Sequence, residues 1–201
     1  MLHVGITGGI GSGKTTVCKI FEILGIPVYY ADERAKWLME HQASLVQGIL
    51  GLLGQEAYTG EGKLNRSWIS GKVFGNPELL SQLNALVHPA VAQDGFDWQD
   101  RQTDCPYTLK EAALLFESGS YLLLDKTIVV TAPLELRIKR VMDRDGVPRQ
   151  AVQERIDRQM PEEDKVRKAD YVIYNDGQRL LIPQVIAIHQ GLVEAAKAMI
   201  S

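Results

Sequence analysis

The sequence predicts an α/β fold in which a doubly wound, parallel sheet is flanked by helices. One observation is that short apolar runs, rich in β-branched and aromatic residues, alternate with longer amphipathic segments along the 201 residues. Another is a glycine-rich stretch that stands directly between the first apolar run and the first amphipathic segment. The runs that qualify as strands are expected at about residues 2–7, 26–30, 107–113, 127–131 and 170–174.

The glycine-rich stretch runs from Gly8 to Thr15 and fits the pattern G-x-x-x-x-G-K-[ST], which binds nucleotide phosphates. Glycines let successive backbone N–H groups turn toward phosphate oxygens, where a Cβ would obstruct them. The N-terminus of the following helix adds a partial positive charge. Lys14 adds a full charge near the outer phosphates, and the Thr15 hydroxyl can ligate Mg²⁺. The sequence therefore predicts a P-loop NTPase fold.

The residues around this loop supply the context that the pattern requires. The run before the loop indicates a buried strand, and apolar residues then recur at helical spacing, at Val17, Ile20, Phe21 and Leu24. Gly25 ends that helix. The alternative is a glycine-rich turn that binds nothing, but a Lys followed by a Thr after glycine has little other use in this setting.

Composition and charge exclude several other classes. A chain of this length indicates a single domain with room for an inserted lid. The net charge of −3 argues against a general nucleic-acid-binding surface, which needs an excess of basic residues. We find no run of 18 apolar residues and no signal peptide, and we expect a cytoplasmic protein. Cys18 and Cys105 are expected to be reduced thiols, and no metal cluster can be built from them.

Asp32 follows the second expected strand and allows two interpretations. Asp is a common N-cap, and the segment from Glu33 to His41 is expected to be helical. The carboxylate also stands at the C-terminal edge of a parallel strand, where open α/β sheets bind their ligands. Position alone favours the cap.

The region from about 43 to 100 is predicted to be a helical, acceptor-side insertion. Helices are expected at 43–58, at 64–74 and again after Pro77. Pro89 should interrupt the last of these, because proline breaks or kinks a helix. His88, just before it, is either a structural residue or a functional one.

Glu111 lies in the otherwise apolar run that forms the third strand. A buried carboxylate is unfavourable unless it is paired or used. Glu111 is therefore either a neighbour of Mg²⁺ or substrate, or the partner of a structural Arg or Lys.

After the fourth strand, Pro133 opens a helix, and basic residues are frequent over the next two helices. Arginines that share a face suit phosphoryl transfer, because charge spreads over the γ-phosphate oxygens in the transition state. Residues of about 140–168 are accordingly predicted to form a lid. The alternative is a solvated helical hairpin held by ion pairs. A fifth strand and a last helix, from about Gln178 to Ile200, complete the chain.

Other classes of P-loop protein remain to be weighed against a kinase. The guanine motif N-K-x-D of GTPases is absent, and the one D-x-x-G match, Asp143–Gly146, lies at a helix end. The motifs alone do not exclude a non-catalytic nucleotide-binding switch. An arginine-bearing lid favours a small-molecule kinase, since such lids keep water from the reacting phosphate.

Several further stretches occur in a fixed order along the chain. They are Gly5–Lys14, Ala31-Asp32, Leu86-Val87-His88-Pro89, Leu114-Leu115-Phe116-Glu117, Arg140, Arg155-x-x-Arg158-Gln159 and Ala169–Gly177. Together they resemble the dephospho-CoA kinase family along nearly the whole chain. The chain departs from the usual family pattern at Ala113, where proline is common, and at Thr131-Ala132, where an Asp often precedes the helix.

This resemblance implies transfer of the ATP γ-phosphate to the ribose 3′-hydroxyl of dephospho-CoA, the last step of coenzyme A synthesis, with ATP and Mg²⁺ required. The implied catalytic residues are Lys14, Asp32 and Arg140, with Asp32 orienting the hydroxyl and accepting its proton and Arg140 closing over the transferred group. The implied ATP-binding residues are Gly11, Ser12, Gly13, Lys14, Thr15, Thr16 and Asn175, the last near the adenine. The acceptor would be lined by Asp32, His88, Leu114 and Phe116. A nucleoside or nucleotide kinase is the alternative enzyme, and a monomer or weak homo-oligomer without nucleic-acid partners is expected.

Overall fold

The computed structural model describes residues 1–199, and this part of the chain divides into two compact units. The first unit combines Met1–Tyr30 with the chain from Gln102 onward, and it contains the sheet. The second unit, Ala31–Arg101, is helical. It overlaps the predicted helical insertion at about 43–100. The assignment of residues 1–201 to a single kinase domain stays a prediction.

The strands of the described chain are β1 Leu2–Thr7, β2 Val28–Tyr30, β3 Tyr107–Glu111, β4 Lys126–Thr131 and β5 Tyr171–Tyr174. They form one parallel sheet in the order β2-β3-β1-β4-β5, which confirms the predicted five-stranded parallel sheet over the residues that the structure describes. Because β1 lies at the centre, the glycine-rich loop that leaves its carboxyl end opens at the middle of the sheet edge, where such folds bind ligands.

The helices of residues 1–199 are α1 Lys14–Ile23, α2 Ala31–His41, α3 Ala43–Leu53, α4 Arg66–Val73, α5 Pro77–Asp100, α6 Leu134–Asp145, α7 Arg149–Asp157, α8 Glu162–Lys168 and α9 Leu181–Ala198. Short 3₁₀ turns lie at Gln55–Ala57 and Ser120–Leu123. The last helix begins later than predicted, because the Asp176 carboxylate accepts hydrogen bonds from the Gln178 and Arg179 N–H groups and holds a turn there. Its predicted end, Ile200, lies outside the described residues.

The core of the first unit forms where apolar side chains of the sheet meet α1 and α9. Its larger members include Val4, Ile6, Phe21, Tyr107, Leu109, Ile128, Ile173 and Leu192. His189 on α9 borders this core, and its Nδ1 lies 2.8 Å from the Tyr107 hydroxyl. His189 is therefore a hydrogen-bonded boundary residue, as its place in the apolar stripe suggests.

The second unit has an apolar core of its own, built from Leu38, Leu45, Ile49, Ala57, Ile69, Leu83 and Val87. Side chains cap two of its helices: Asn65 Oδ1 accepts from the Trp68 N–H, and Asn76 Oδ1 accepts from the Leu79 N–H. An ion pair between Arg34 and Asp94 at 2.6 Å joins α2 to α5. These contacts hold the helices as one packed unit.

Two helix predictions in this unit need correction. The segment expected as one helix at 43–58 is α3 followed by a 3₁₀ turn, because Gly54 at φ +90° ends the helix. The expected break at Pro89 is wrong, since α5 continues through it to Asp100. Proline removes one backbone hydrogen bond at that point. The buried side chains of Leu83 and Val87 hold the helix in place on its core side.

Candidate active site

The glycine-rich loop after β1 has backbone angles and surroundings that only glycine fits at two positions. Gly13 has φ +94° and stands at the N-terminus of α1, and an added Cβ would lie 2.2 Å from Asn175 Nδ2. Gly11 has φ +78°, and an added Cβ would lie 2.4 Å from the Arg137 carbonyl oxygen. L-residues rarely adopt such angles. The loop therefore requires glycine both for its backbone conformation and for space.

The N-terminus of α1 is well suited to an anion. The first N–H groups of a helix have no partner within the helix, and in the described chain no side chain caps α1 at Gly13. The first turn carries no acidic residue, and Thr15 and Thr16 are exposed. The Ser12 hydroxyl is buried and has no hydrogen-bond partner among the described residues. Phosphate oxygens would satisfy both the helix N–H groups and this hydroxyl.

Lys14 and Glu111 form an ion pair at this loop. Lys14 Nζ lies 3.4 Å from Glu111 Oε1, and the two side chains are only 13% and 10% exposed. Of the two interpretations offered for Glu111, the structure shows the pairing with a lysine. That lysine is the residue predicted to reach the outer phosphates, so the carboxylate belongs to the site. Lys14, which is predicted to bind phosphate, and the buried Glu111 carboxylate thus lie together near the carboxyl ends of β1 and β3.

Arg140 and Asn175 contact the backbone of the loop. Arg140 donates to the Asn175 carbonyl at 3.1 Å and more weakly to the Gly11 carbonyl at 3.4 Å. Asn175 Nδ2 donates to the Ser12 carbonyl at 2.8 Å. The structure thus brings Gly11, Ser12, Arg140 and Asn175 into one hydrogen-bonded group at the start of α1.

Arg137 and Gln159 also bind the loop, and the sequence interpretation gave neither a role. Arg137 is 4% exposed; its Nε donates to the Ile10 carbonyl at 3.1 Å and its Nη1 to Glu162 at 3.0 Å. Gln159 Oε1 accepts from the Ile10 N–H at 2.9 Å. The sequence indicated Arg137 only as a member, with Arg140 and Arg144, of the arginine-bearing face that suits phosphoryl transfer. Gln159 appeared only within the family motif.

Other arginines of the predicted lid form ion pairs at the surface. Arg144 and Arg155 both bind Asp145, and Arg149 binds Glu135 at 2.6 Å. The hydrogen bond from Arg144, with help from Arg155, lowers the pKa of Asp145 to about 2. Exposed pairs of this kind contribute little to stability. The alternative interpretation of this region as an ion-paired hairpin therefore describes these three arginines.

The predicted acceptor residues of the first unit lie in the segment after β3. Leu114 is 47% exposed, whereas Phe116 is 5% exposed and packs edge-on against Tyr121 with ring centroids 5.2 Å apart. Leu114 can touch a ligand directly. Phe116 can only shape the surface from beneath.

Asp32 and His88 belong to the second unit, and both are exposed. Asp32 lies inside the first turn of α2, which begins at Ala31, so it is not the N-cap that its position favoured. A carboxylate in a first turn is still stabilised by the helix dipole. His88 lies inside the continuous helix α5, directly before Pro89.

The described residues contain two cysteines, Cys18 in α1 and Cys105 in the segment before β3. Both cysteines of the described chain are free, and burial raises the pKa of Cys18 to about 12, so its thiol is unreactive. Among residues 1–199, no group of three or more His, Cys, Asp or Glu side chains could hold a metal ion. No helix in the described part is long and apolar enough to cross a membrane.

Comparison with known proteins shows the family and the fold of this chain. A family model described as dephospho-CoA kinase matches residues 2–180. A dephospho-CoA kinase from Porphyromonas gingivalis is 39% identical over 94% of this chain and 93% of its own, and one from Salinibacter ruber is 42% identical over 88% and 90%. A solved dephospho-CoA kinase from Campylobacter jejuni superposes with a TM-score of 0.68 at 27% identity, covering 96% of this chain and 98% of that one. The predicted P-loop NTPase fold is thereby confirmed.

Proposed function

The chain belongs to the dephospho-CoA kinase family and phosphorylates dephospho-CoA with ATP in coenzyme A biosynthesis, and on that premise we propose that the transfer takes place at the glycine-rich loop. One observation carries the proposal: the buried Lys14–Glu111 pair stands beside the N-terminus of α1, which no side chain of the described residues caps. A full positive charge and free helix N–H groups at one place suit a triphosphate.

The glycine-rich loop and the start of α1 bind the phosphate donor, ATP, in this proposal. Backbone N–H groups of Gly11, Ser12, Gly13, Lys14, Thr15 and Thr16 hold the ATP phosphates. Lys14 leaves Glu111 to bind the outer phosphates. Asn175, which already binds the loop at the Ser12 carbonyl, lies next to the adenine.

Mg²⁺ is the cofactor of this proposal. The exposed Thr15 hydroxyl in the first turn of α1 and the buried Glu111 carboxylate are oxygen donors, which this hard cation prefers. Thr15 would hold the ion, and Glu111 would lie near it. When bound, Mg²⁺ neutralises charge on the outer phosphates.

The acceptor in the proposal is the ribose 3′-hydroxyl of dephospho-CoA. Its oxygen forms a bond to the γ-phosphorus, the bond from that phosphorus to the β,γ-bridging oxygen breaks, and ADP leaves. Asp32 orients the hydroxyl and accepts its proton. Because the transition state is loose, the proton leaves late, and orientation is the larger contribution. On the acceptor side we assign Leu114 as a contact and Phe116 as its support from beneath in the first unit, and His88 in the second unit.

Arg140 completes the proposed catalytic set. Its guanidinium binds the Gly11 carbonyl and Asn175 in this conformation, so it lies at the loop. Moving from the carbonyls to the transferred group would let it neutralise charge in the transition state. An arginine in that role contributes roughly 10³-fold or more to kcat. Arg140→Ala is expected to lower kcat at saturating ATP rather than only raise KM.

We further propose that the enzyme works in the cytoplasm as a monomer or weak homo-oligomer, without nucleic acid. The net charge of −3 supports the last point.

An ATP-consumption assay with a panel of acceptors tests the proposal. Dephospho-CoA should stimulate consumption, whereas adenosine, nucleoside monophosphates and pantothenate should not. Stimulation by a nucleoside monophosphate alone would favour a nucleotide kinase. Asp32→Asn keeps the size and the polarity of the first turn but removes the base, so an unchanged kcat in that variant would reject Asp32 as the proton acceptor.

A further inference from the structure

Four residues between α7 and α8, Gln159-Met160-Pro161-Glu162, contact two separate parts of the first unit. We refer to residues 159–162 as the junction segment. On one side it binds the glycine-rich loop, and on the other it binds the end of the 114–117 segment that follows β3.

Toward the loop, the contacts converge on Ile10. Gln159 Oε1 accepts from the Ile10 N–H at 2.9 Å, and Arg137 Nε donates to the Ile10 carbonyl at 3.1 Å. Both backbone polar groups of this one residue are therefore bound by side chains from outside the loop. Glycines on either side would otherwise leave the Ile10 peptide free to rotate. These two hydrogen bonds hold it in one orientation.

The junction segment also holds Arg137 itself. Arg137 Nη1 and Glu162 Oε2 form an ion pair at 3.0 Å, and the arginine side chain is 4% exposed. The pair lies directly against the loop: a Cβ added to Gly9 would meet Arg137 Nη2 at 2.5 Å and Glu162 Oε2 at 2.6 Å. A side chain at position 9 would therefore displace the Arg137–Glu162 pair, so the pair packs closely against the loop.

On its other side, the junction segment is bound to Glu117. Glu117 Oε1 accepts from the Met160 N–H at 2.8 Å and lies 3.0 Å from Nζ of the fully buried Lys165. Burial alone would raise the pKa of Glu117, but the Met160 hydrogen bond and the Lys165 ammonium outweigh it, so this pKa is lowered. The carboxylate is therefore a charged anchor for the segment that contains Leu114 and Phe116.

We propose that the junction segment sets the distance between the glycine-rich loop and the 114–117 segment, and that Gln159 and Glu117 are positioning residues for phosphoryl transfer. The proposal rests on the function above, in which the loop holds the donor and residues 114–116 line the acceptor. Neither positioning residue needs to touch a substrate. Phosphoryl transfer is sensitive to such positioning, because an error of 1 Å between the reacting groups lowers the rate by about 100-fold.

Gln159→Met tests the loop side. It keeps the length of the side chain and removes the oxygen that binds the Ile10 N–H. We expect kcat to fall about tenfold, with a smaller change in the KM for ATP. The matched control is Gln150→Met, an exposed glutamine of α7, which should leave kcat unchanged. If Gln159→Met kept the wild-type kcat, the proposal would be overturned.

Glu117 tests the other side. Glu117→Gln keeps an oxygen for the Met160 N–H and should retain most of kcat, whereas Glu117→Ala should not. Because both substitutions leave the buried Lys165 ammonium without its carboxylate and can prevent folding, the same comparison is made between Glu117→Gln/Lys165→Met and Glu117→Ala/Lys165→Met. Equal activity of the Gln and Ala forms would contradict a positioning role.

A double-mutant cycle on kcat decides whether both residues act through one segment. Adding Gln159→Met to Glu117→Ala/Lys165→Met should lower kcat by clearly less than the product of the separate effects. If the effects simply multiply, the two residues act independently and the proposal fails. Lys14→Met separates this outcome from a failure of the proposed function. An inactive Lys14→Met alongside a fully active Gln159→Met rejects the junction alone, whereas an active Lys14→Met rejects the proposed site.

Discussion

Replacing Glu111 by glutamine tests the electrostatics of the loop. The substitution keeps the shape of the side chain and removes the negative charge that lies 3.4 Å from Lys14 Nζ. Lys14 then keeps its charge in a place where its side chain is only 13% exposed. We expect Glu111→Gln to destabilise the enzyme without nucleotide and to increase the stabilisation that ATP brings.

The magnitude follows from the geometry of the pair. At 3.4 Å and an effective dielectric constant of about 20, the attraction between the two charges is about 5 kcal/mol. Desolvation of both groups offsets part of this, and breaking a buried pair costs about 3–5 kcal/mol. We therefore expect a loss of about 3 kcal/mol in the free energy of unfolding. For a chain of this size that corresponds to a fall in Tm of about 6–12 °C.

Thermal unfolding with and without ATP, in the absence of Mg²⁺ and dephospho-CoA, measures both effects. In the wild type, the phosphates compete with Glu111 for Lys14, whereas in the variant they meet no competing carboxylate. ATP should therefore raise the Tm of Glu111→Gln more than that of the wild type. Glu163→Gln, at an exposed carboxylate of α8, is the control and should behave as the wild type. An unchanged Tm together with an equal effect of ATP on both proteins would show that the charge of Glu111 does not hold Lys14.

Three further substitutions test other parts of the structure. Gly13→Ala should abolish ATP binding in calorimetry, because φ is +94° and Asn175 Nδ2 lies 2.2 Å from the new Cβ, whereas Gly71→Ala, with open space around it, should not. The pKa of Glu117 is lowered from 4.5 in the folded protein, so its stabilisation is complete above that value and is lost as pH falls through the folded pKa. Between pH 7 and pH 3, the free energy of unfolding measured in urea should therefore fall less for Glu117→Gln than for the wild type. Parallel plots of this free energy against pH for the two proteins would contradict the expectation. Pro89→Ala should raise stability by about 2 kcal/mol, since it restores a backbone hydrogen bond inside α5, and destabilisation would argue against a continuous helix.

Local patterns predicted the parts of the fold that depend on local chemistry. The strands could be predicted because runs of β-branched residues are typical of strands that are buried on both faces of a sheet. The loop could be predicted because its glycines, Lys14 and Thr15 must stand at fixed spacing. The break expected at Pro89 failed, because packing of the flanking turns outweighs one lost hydrogen bond. Local propensity is a weak guide where tertiary contacts oppose it.

Contacts between residues that are distant in the chain could not be predicted from the sequence. Arg137 and Arg140 lie on the same helix and look alike in the sequence, yet Arg137 is buried beside Ile10 and Arg140 contacts Asn175. Gln159 binds a residue 149 positions away. The sequence did indicate that Glu111 needed a partner, because a buried carboxylate is unfavourable alone, but it could not name Lys14.

The position of the new phosphate on the product shows whether the enzyme phosphorylates the ribose 3′-hydroxyl of dephospho-CoA. The enzyme is incubated with ATP and dephospho-CoA, and the product is analysed by phosphorus NMR with coupling to the ribose protons. We expect a new phosphomonoester coupled to the proton on the 3′-carbon, formed in equal amount to ADP. A phosphate at any other position of the acceptor, or ADP formed without a phosphorylated acceptor, would contradict it.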